Sequence, residues 1–168
     1  SGAGKAHQIF FRGFDAQHGQ DIEISAGGIP VNEVSNVHGQ GYADVHFLMP
    51  ELVLNLHAKP GSYSASQGDF AVAGSLDFEL GYTEPGVTAA VTVGMFGERR
   101  LFLAYHPKNA PDETFAAFEG QTTDGFGPAR ASRRVGGVGQ VLFPITEKLD
   151  ARILATGYAA RFDSAGVL

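Results

Sequence analysis

Arg99-Arg100-Leu101-Phe102-Leu103-Ala104-Tyr105-His106 is the stretch whose reading decides the fold. Leu101, Leu103 and Tyr105 fall on one side of an extended chain, and Arg100, Phe102 and His106 fall on the other. Successive side chains of a strand point to opposite faces, so period 2 is a strand signal. The period returns near the C-terminus, where Leu154, Thr156, Tyr158 and Phe162 oppose Ile153, Ala155, Gly157 and Arg161. Segments 87–96, 99–106, 113–122, 138–146 and 150–162 are each about ten residues long, and loops bearing Gly, Pro, Asn or Asp separate them. Strands of roughly 9–11 residues are what a membrane-spanning barrel uses, but a soluble β-sandwich shows the same spacing. Periodicity alone leaves both open.

Towards the N-terminus the strands are shorter. Leu76, Phe78, Leu80 and Tyr82 alternate with Asp77, Glu79 and Gly81. Ile22 and Ile24 alternate with Asp21, Glu23 and Ser25, and Gly27-Gly28 followed by Ile29-Pro30-Val31-Asn32 reads as a turn or bulge between two short strands. Gln8 to Phe14 forms an aromatic run that ends at Asp15. Residues 33–44 are polar and read as an exposed loop, and Pro50-Glu51-Leu52-Val53 reads as one helical turn with Pro in its favoured early position. Leu52, Leu54 and Leu56 then alternate towards a turn at Lys59-Pro60-Gly61. The expected fold is mainly β, with a small mixed sheet followed by antiparallel strands, divided into residues 1–85 and 86–168.

Composition agrees with that class. Among 168 residues there are 23 Gly, 13 Phe and 5 Tyr, a balance that suits strands and tight turns. The net charge of −6 argues against a phosphate-binding nucleic-acid surface. With no Cys, disulfides, thiol nucleophiles and Cys-based zinc sites are excluded. No apolar run is long enough for a transmembrane helix. The chain opens Ser1-Gly2-Ala3-Gly4-Lys5 without an apolar leader segment behind it, which is silent on location. A barrel closed in lipid needs at least about eight strands, since an open edge is not tolerated there. Residues 87–168 offer four or five, so barrel strands here imply a fragment of a larger protein.

Phe11-Arg12-Gly13-Phe14, Asp21 to Asn32, Pro50 to Gly61 and Gln67-Gly68-Asp69-Phe70-Ala71-Val72-Ala73-Gly74-Ser75 lie in order at a family-like spacing. Together they resemble the C-terminal half of the plug domain of TonB-dependent outer-membrane receptors. Residues 97–162 resemble the first barrel strands, with Thr123-Asp124-Gly125-Phe126 as the best local echo. Gly27 stands where the family usually has Asp, and Lys59 where it usually has Arg. The resemblance implies a partial plug followed by an incomplete barrel, in a parent at the bacterial outer membrane. That parent would import a siderophore, cobalamin, haem, metal or saccharide, energised by TonB. The N-terminal half of the plug and the TonB-binding box are not in this sequence. The resemblance implies no enzyme activity, cofactor or resident metal for the fragment, and the unpaired barrel strands would make it self-associate.

In that family, outward plug loops help bind the incoming ligand. Asn32, Ser35, Asn36, His38, Gln40 and Tyr42 match such a loop by position, and their amides, imidazole and phenol suit a chelate or sugar. A Gly- and Asn-rich loop is also what simply connects two strands. Arg12, in an aromatic strand, is costly to bury unpaired and is expected to form a structural ion pair with Asp21, Glu23 or Glu51. His46, Glu51 and His57 faintly match the ligand spacing of a soluble cupin-like metal protein, but Asp44 replaces the first His of the paired motif. On one strand, positions 46 and 57 would also face opposite sides. No Gly-x-Ser-x-Gly elbow is present, and Gly136-Gly137-Val138-Gly139 lacks the helix a dinucleotide loop needs. Arg130, Arg133 and Arg134 read as a basic cluster in a loop, either a solvated turn or a contact for an anion or lipopolysaccharide. The alternatives to the receptor are therefore the cupin-like protein and a soluble β-sandwich binding module.

Overall fold

The computed structural model describes residues 8–11, 13–16 and 19–164. The chain is mainly β and forms two compact units, one ending at Leu80 and the other beginning at Gly81.

The first unit holds a hairpin and a small mixed sheet. In the hairpin, β1 (Ile9–Phe11) pairs antiparallel with β2 (Phe14–Ala16), and Phe11 stands opposite Phe14. The aromatic run is therefore folded back on itself. It does not form one strand ending at Asp15, and Gly13 at φ 86 gives the turn its left-handed backbone. Four more strands follow: β3 (Ile22–Ala26), β4 (Ile29–Pro30), β5 (Val53–Pro60) and β6 (Gly74–Leu80). They lie in the order β4-β3-β6-β5, with β3 and β6 parallel and the other pairs antiparallel.

The sequence accounts for these elements. Ile22, Ile24 and Ala26 are all buried, as their period requires. Gly27 and Gly28, at φ 58 and 79, make the two-residue turn that joins β3 to β4, a geometry in which both central residues need positive φ. Gly74 opens β6 at φ 146, where an added Cβ would lie 2.3 Å from the Lys59 carbonyl oxygen. Pro50–Leu52 forms one 3-10 turn with Pro at its start and Leu52 buried. The Leu52-Leu54-Leu56 alternation does not continue into β5. The register shifts between Val53 and Asn55, so a bulge at Leu54 leaves Leu56 half exposed opposite Phe78. The core is Ile22, Ile24, Ala43 and Ala73, with Phe11, Val31, Val45, Leu76 and Phe78 against it.

The second unit is a five-stranded antiparallel meander. Its strands are β7 (Gly86–Val93), β8 (Arg99–His106), β9 (Phe115–Thr123), β10 (Ser132–Thr146) and β11 (Leu149–Phe162). They pair in chain order, which leaves β7 and β11 as the edges of an open sheet and not a closed barrel. β10 begins six residues before the 138–146 expected from sequence, so Arg133 and Arg134 are strand residues and not loop residues. Gly136 and Gly137, which precede the strand expected at 138–146, lie inside β10 and pair with large residues across the sheet. Gly137 faces Phe118, and Gly136 faces Glu119 and Tyr158. Large neighbours shelter a strand glycine that would otherwise weaken the ladder.

Candidate functional site

The loop after β4 carries the six residues expected to bind a ligand, and the structure divides them. Asn32 is committed to the fold. Its Oδ1 accepts from the Ile24 amide at 2.6 Å, and its Nδ2 donates to the carbonyls of Gly19, Ile22 and Gly41 at 3.1, 2.9 and 2.9 Å. One side chain thus ties both ends of the loop to β3, because an amide offers an acceptor and two donors in one plane. Asn36 is also occupied, donating to Glu33 at 2.8 Å and accepting the His38 amide at 2.9 Å in an Asx turn. Ser35, His38 and Gln40 are exposed, while Tyr42 is half-buried and stacks on the His38 ring with centroids 5.7 Å apart. The outward face of the loop is therefore Ser35, the His38–Tyr42 stack and Gln40, with Val34 and Val37 exposed beside them. The expected exposed loop also dips inward, since Gly41 and Ala43 are buried.

Opposite the core, the mixed sheet of the first unit presents a polar face. Glu23, Ser25, His57, Lys59, Ser75 and Asp77 line a groove of about 450 Å³. Ser25 donates to Asp77 at 2.5 Å, and the Gly68 amide donates to Glu23 at 2.9 Å. The three residues weighed as metal ligands are not gathered. His46 Nδ1 lies 2.6 Å from Asp44 Oδ1, and His57 Nε2 lies 3.4 Å from Glu79. Among the described residues no three His, Asp or Glu side chains form a metal-ligating group. Arg12, expected to form a structural ion pair, lies outside the described residues.

The five-stranded sheet has the more unusual chemistry. Directly opposed residues of antiparallel strands share a face, so the register sorts every side chain. One face buries polar and charged groups among apolar ones. Phe102, Ala104, His106, Phe115, Ala117, Glu119, Val138 and Gln140 are all at most 9 % exposed. Glu119 joins two cations there, with Arg100 Nε 2.5 Å from Oε2 and Arg134 2.9 Å from Oε1. The Arg100 guanidinium also lies 5.4 Å from the Phe102 ring centroid. Gln140 donates to the Glu113 carbonyl at 3.0 Å, and His106 Nδ1 is 2.8 Å from the Thr114 carbonyl.

The opposite face is apolar and open. Its rows across the strands are Val91-Leu101-Gly120-Val135-Ala159, then Ala89-Leu103-Phe118-Gly137-Gly157, then Val87-Tyr105-Ala116-Gly139-Ala155. Val141 with Ile153 and Phe143 with Ala151 extend it along β10 and β11. No charged residue interrupts these rows, yet Val87 and Val91 are more than 70 % exposed and Ile153 is 61 % exposed. A band this apolar on a solvent-facing sheet exceeds the scattered hydrophobics of ordinary protein surfaces.

At one end the band stops at a row of different composition, Val93-Arg99-Thr122-Arg133-Arg161. Sequence reasoning missed this row, because it placed Arg133 in a loop with Arg134. In fact the doublets Arg99-Arg100 and Arg133-Arg134 each send one cation to the buried Glu119 and the other to the open rim. Alternation was the available signal, and extending it back through Ser132 would have found the row. No family model matches the chain, and no curated protein matches it either.

Proposed function

We propose that the chain is part of an outer-membrane TonB-dependent receptor that imports a scarce nutrient. The second unit supplies the first strands of its barrel wall, and the first unit supplies part of its plug. The observation that carries this reading is the polarity of the five-stranded sheet, whose inward face holds Arg100, Glu119, Arg134 and Gln140 among apolar residues while its open face, beyond the arginine row at one end, is an unbroken apolar band. A water-soluble sandwich turns its apolar faces inward, whereas a membrane barrel alternates apolar-out with polar-in. The dimensions agree as well. The ten steps from Arg133 to Phe143 along β10 span about 34 Å at roughly 3.4 Å each. Tilted by about 40°, as barrel strands are, they rise about 26 Å, against an apolar band of about 25 Å.

The open edges at β7 and β11 fit a wall that continues into further strands, since lipid tolerates no unpaired edge. The nutrient would meet the outward members of the 33–42 loop, Ser35, His38, Gln40 and Tyr42, whose hydroxyls, amide and imidazole suit a polar chelate or saccharide. Asn32 and Asn36 hold that loop in shape and are not assigned to the ligand.

The absence of Cys allows a direct test by site-directed spin labelling. Single Cys residues at Ala89, Leu103 and Ala155 report the apolar face, and Thr88 and Thr156 report the other. In lipid vesicles, where copies of the chain satisfy one another's β7 and β11 edges, the first three labels should collide with oxygen and be shielded from a water-soluble nickel reagent, and the last two should do the reverse. Equal access of the nickel reagent to both faces would overturn the proposal.

A further inference from the structure

We infer that Arg99, Arg133 and Arg161 form a binding row for the phosphate-bearing headgroup of an anionic lipid whose acyl chains lie along the apolar face below. The inference rests on the barrel-wall reading and deepens it by naming the lipid chemistry that the wall prefers.

Register supplies the first argument. Arg133 and Arg161 are directly opposed on neighbouring strands, and Arg99 joins the same row across Thr122. Like charges placed directly opposite destabilise a sheet, so the arrangement calls for an anion from elsewhere. Charge complementarity supplies the second. Arg100 and Arg134, the neighbours in sequence, both reach Glu119, but among the described residues no carboxylate pairs with Arg99, Arg133 or Arg161. Asp163 lines the same shallow surface near Arg133 and Arg161 without forming an ion pair. All three guanidiniums are exposed, in a chain whose net charge is −6. Guanidinium forks suit phosphate oxygens, because each presents paired N–H donors in one plane.

Continuity supplies the third argument and selects the occupant. The row borders the apolar band one residue pair away, with Leu101 and Val135 next along their strands on the same face. A free phosphate would use only the cations. A phosphorylated amphiphile uses the cations and the band at once, and its headgroup and chains are spaced as the row and the band are.

The test is partitioning of the full chain between zwitterionic phosphatidylcholine vesicles and vesicles containing phosphatidylglycerol, with a spin label at Leu103 reporting lipid contact in both. The chain should prefer the anionic vesicles. The triple variant Arg99→Gln/Arg133→Gln/Arg161→Gln should lose that preference by on the order of 100-fold, about fivefold for each cation removed from a membrane surface. A second triple variant, Lys108→Gln/Lys148→Gln/Arg152→Gln, removes the same charge from the other end of the sheet and should keep the preference. Equal losses in both variants would reduce the effect to net charge and overturn the row. So would a preference abolished by inorganic phosphate alone, which would make the row a soluble-anion site. A label at Leu103 that meets no lipid in either vesicle would overturn the barrel wall, and the row with it. A label that meets lipid while the first variant keeps its preference would overturn the row alone.

Discussion

Leu103→Arg is the substitution that best separates a membrane wall from a water-facing sheet. Leu103 lies on the apolar face, four residues along β8 from the rim residue Arg99. At about 3.4 Å per residue and a tilt of about 40°, that places it roughly 10 Å below the rim, close to the middle of a band about 25 Å tall. An Arg at such depth costs about 2–4 kcal/mol, a shift of roughly 30-fold to nearly 1,000-fold in the folding equilibrium. In water the same change sacrifices only the cross-strand pairs with Ala89 and Phe118 at a partly exposed position. Such pairs are worth about 0.2–1 kcal/mol. Urea unfolding followed by far-ultraviolet circular dichroism, run with and without vesicles, measures both costs. The lipid-dependent excess should reach at least about 2 kcal/mol for Leu103→Arg. It should be smaller for Leu101→Arg, which is only two residues from Arg99. A cost that is the same in water and in lipid would refute the reasoning, and so would equal costs at the two depths.

Other perturbations test the supporting parts. Glu119→Gln removes the carboxylate shared by Arg100 and Arg134 and leaves two part-buried guanidiniums without their counter-charge. About 3 kcal/mol should be lost in urea unfolding, and a loss below about 0.5 kcal/mol would show the ion network to be idle. Asn32→Ala leaves the Ile24 amide and three carbonyls without their partner and should cost about 2–4 kcal/mol, whereas Ser35→Ala and Gln40→Ala should each stay within about 0.5 kcal/mol. Equal effects at Asn32 and Gln40 in the same unfolding assay would remove the division of the loop into scaffold and surface. In detergent-free buffer, light scattering should find species heavier than one chain, because β7 and β11 present open ladders. A clean monomer would mean that the edges are blunted in some other way.

Much of the architecture was legible from period alone. The parity of Leu101, Leu103 and Tyr105 against Phe102 and His106 is the parity observed, and so is that of Ile22 and Ile24 against Glu23 and Ser25. What was not legible had local causes. A single-residue bulge at Leu54 ends one alternation and begins another, and composition does not mark it. The turn inside Gln8–Phe14 was hidden by continuous aromatics, and the start of β10 was hidden by glycines whose neighbours across the sheet are sixteen or more residues away. In the loop, residue type gave the hydrogen-bonding chemistry without saying which partners it meets. An Asn suited to hydrogen-bond a ligand is equally suited to hydrogen-bond the backbone, and Asn32 does the latter.

The deeper limit is that alternation names two faces without saying which is inside. In β8 the sequence offers Leu101, Leu103 and Tyr105 on one face and Arg100, Phe102, Ala104 and His106 on the other. Hydrophobicity alone would bury the first set. The structure buries the second, and it can do so because Arg100 finds Glu119 on β9, Glu119 finds Arg134 on β10, and Phe102 packs edge-on against Tyr82. Three partners contributed by three strands make the polar face tolerable to bury, and no single strand contains that information. Once that face is inward, the outward one is fixed as Leu101, Leu103, Phe118, Val135 and their neighbours, more than a third exposed. Water is a poor solvent for such a surface at this extent, and a bilayer is a good one. The inference to membrane therefore begins with a buried carboxylate, and substitution of Glu119 tests its first step.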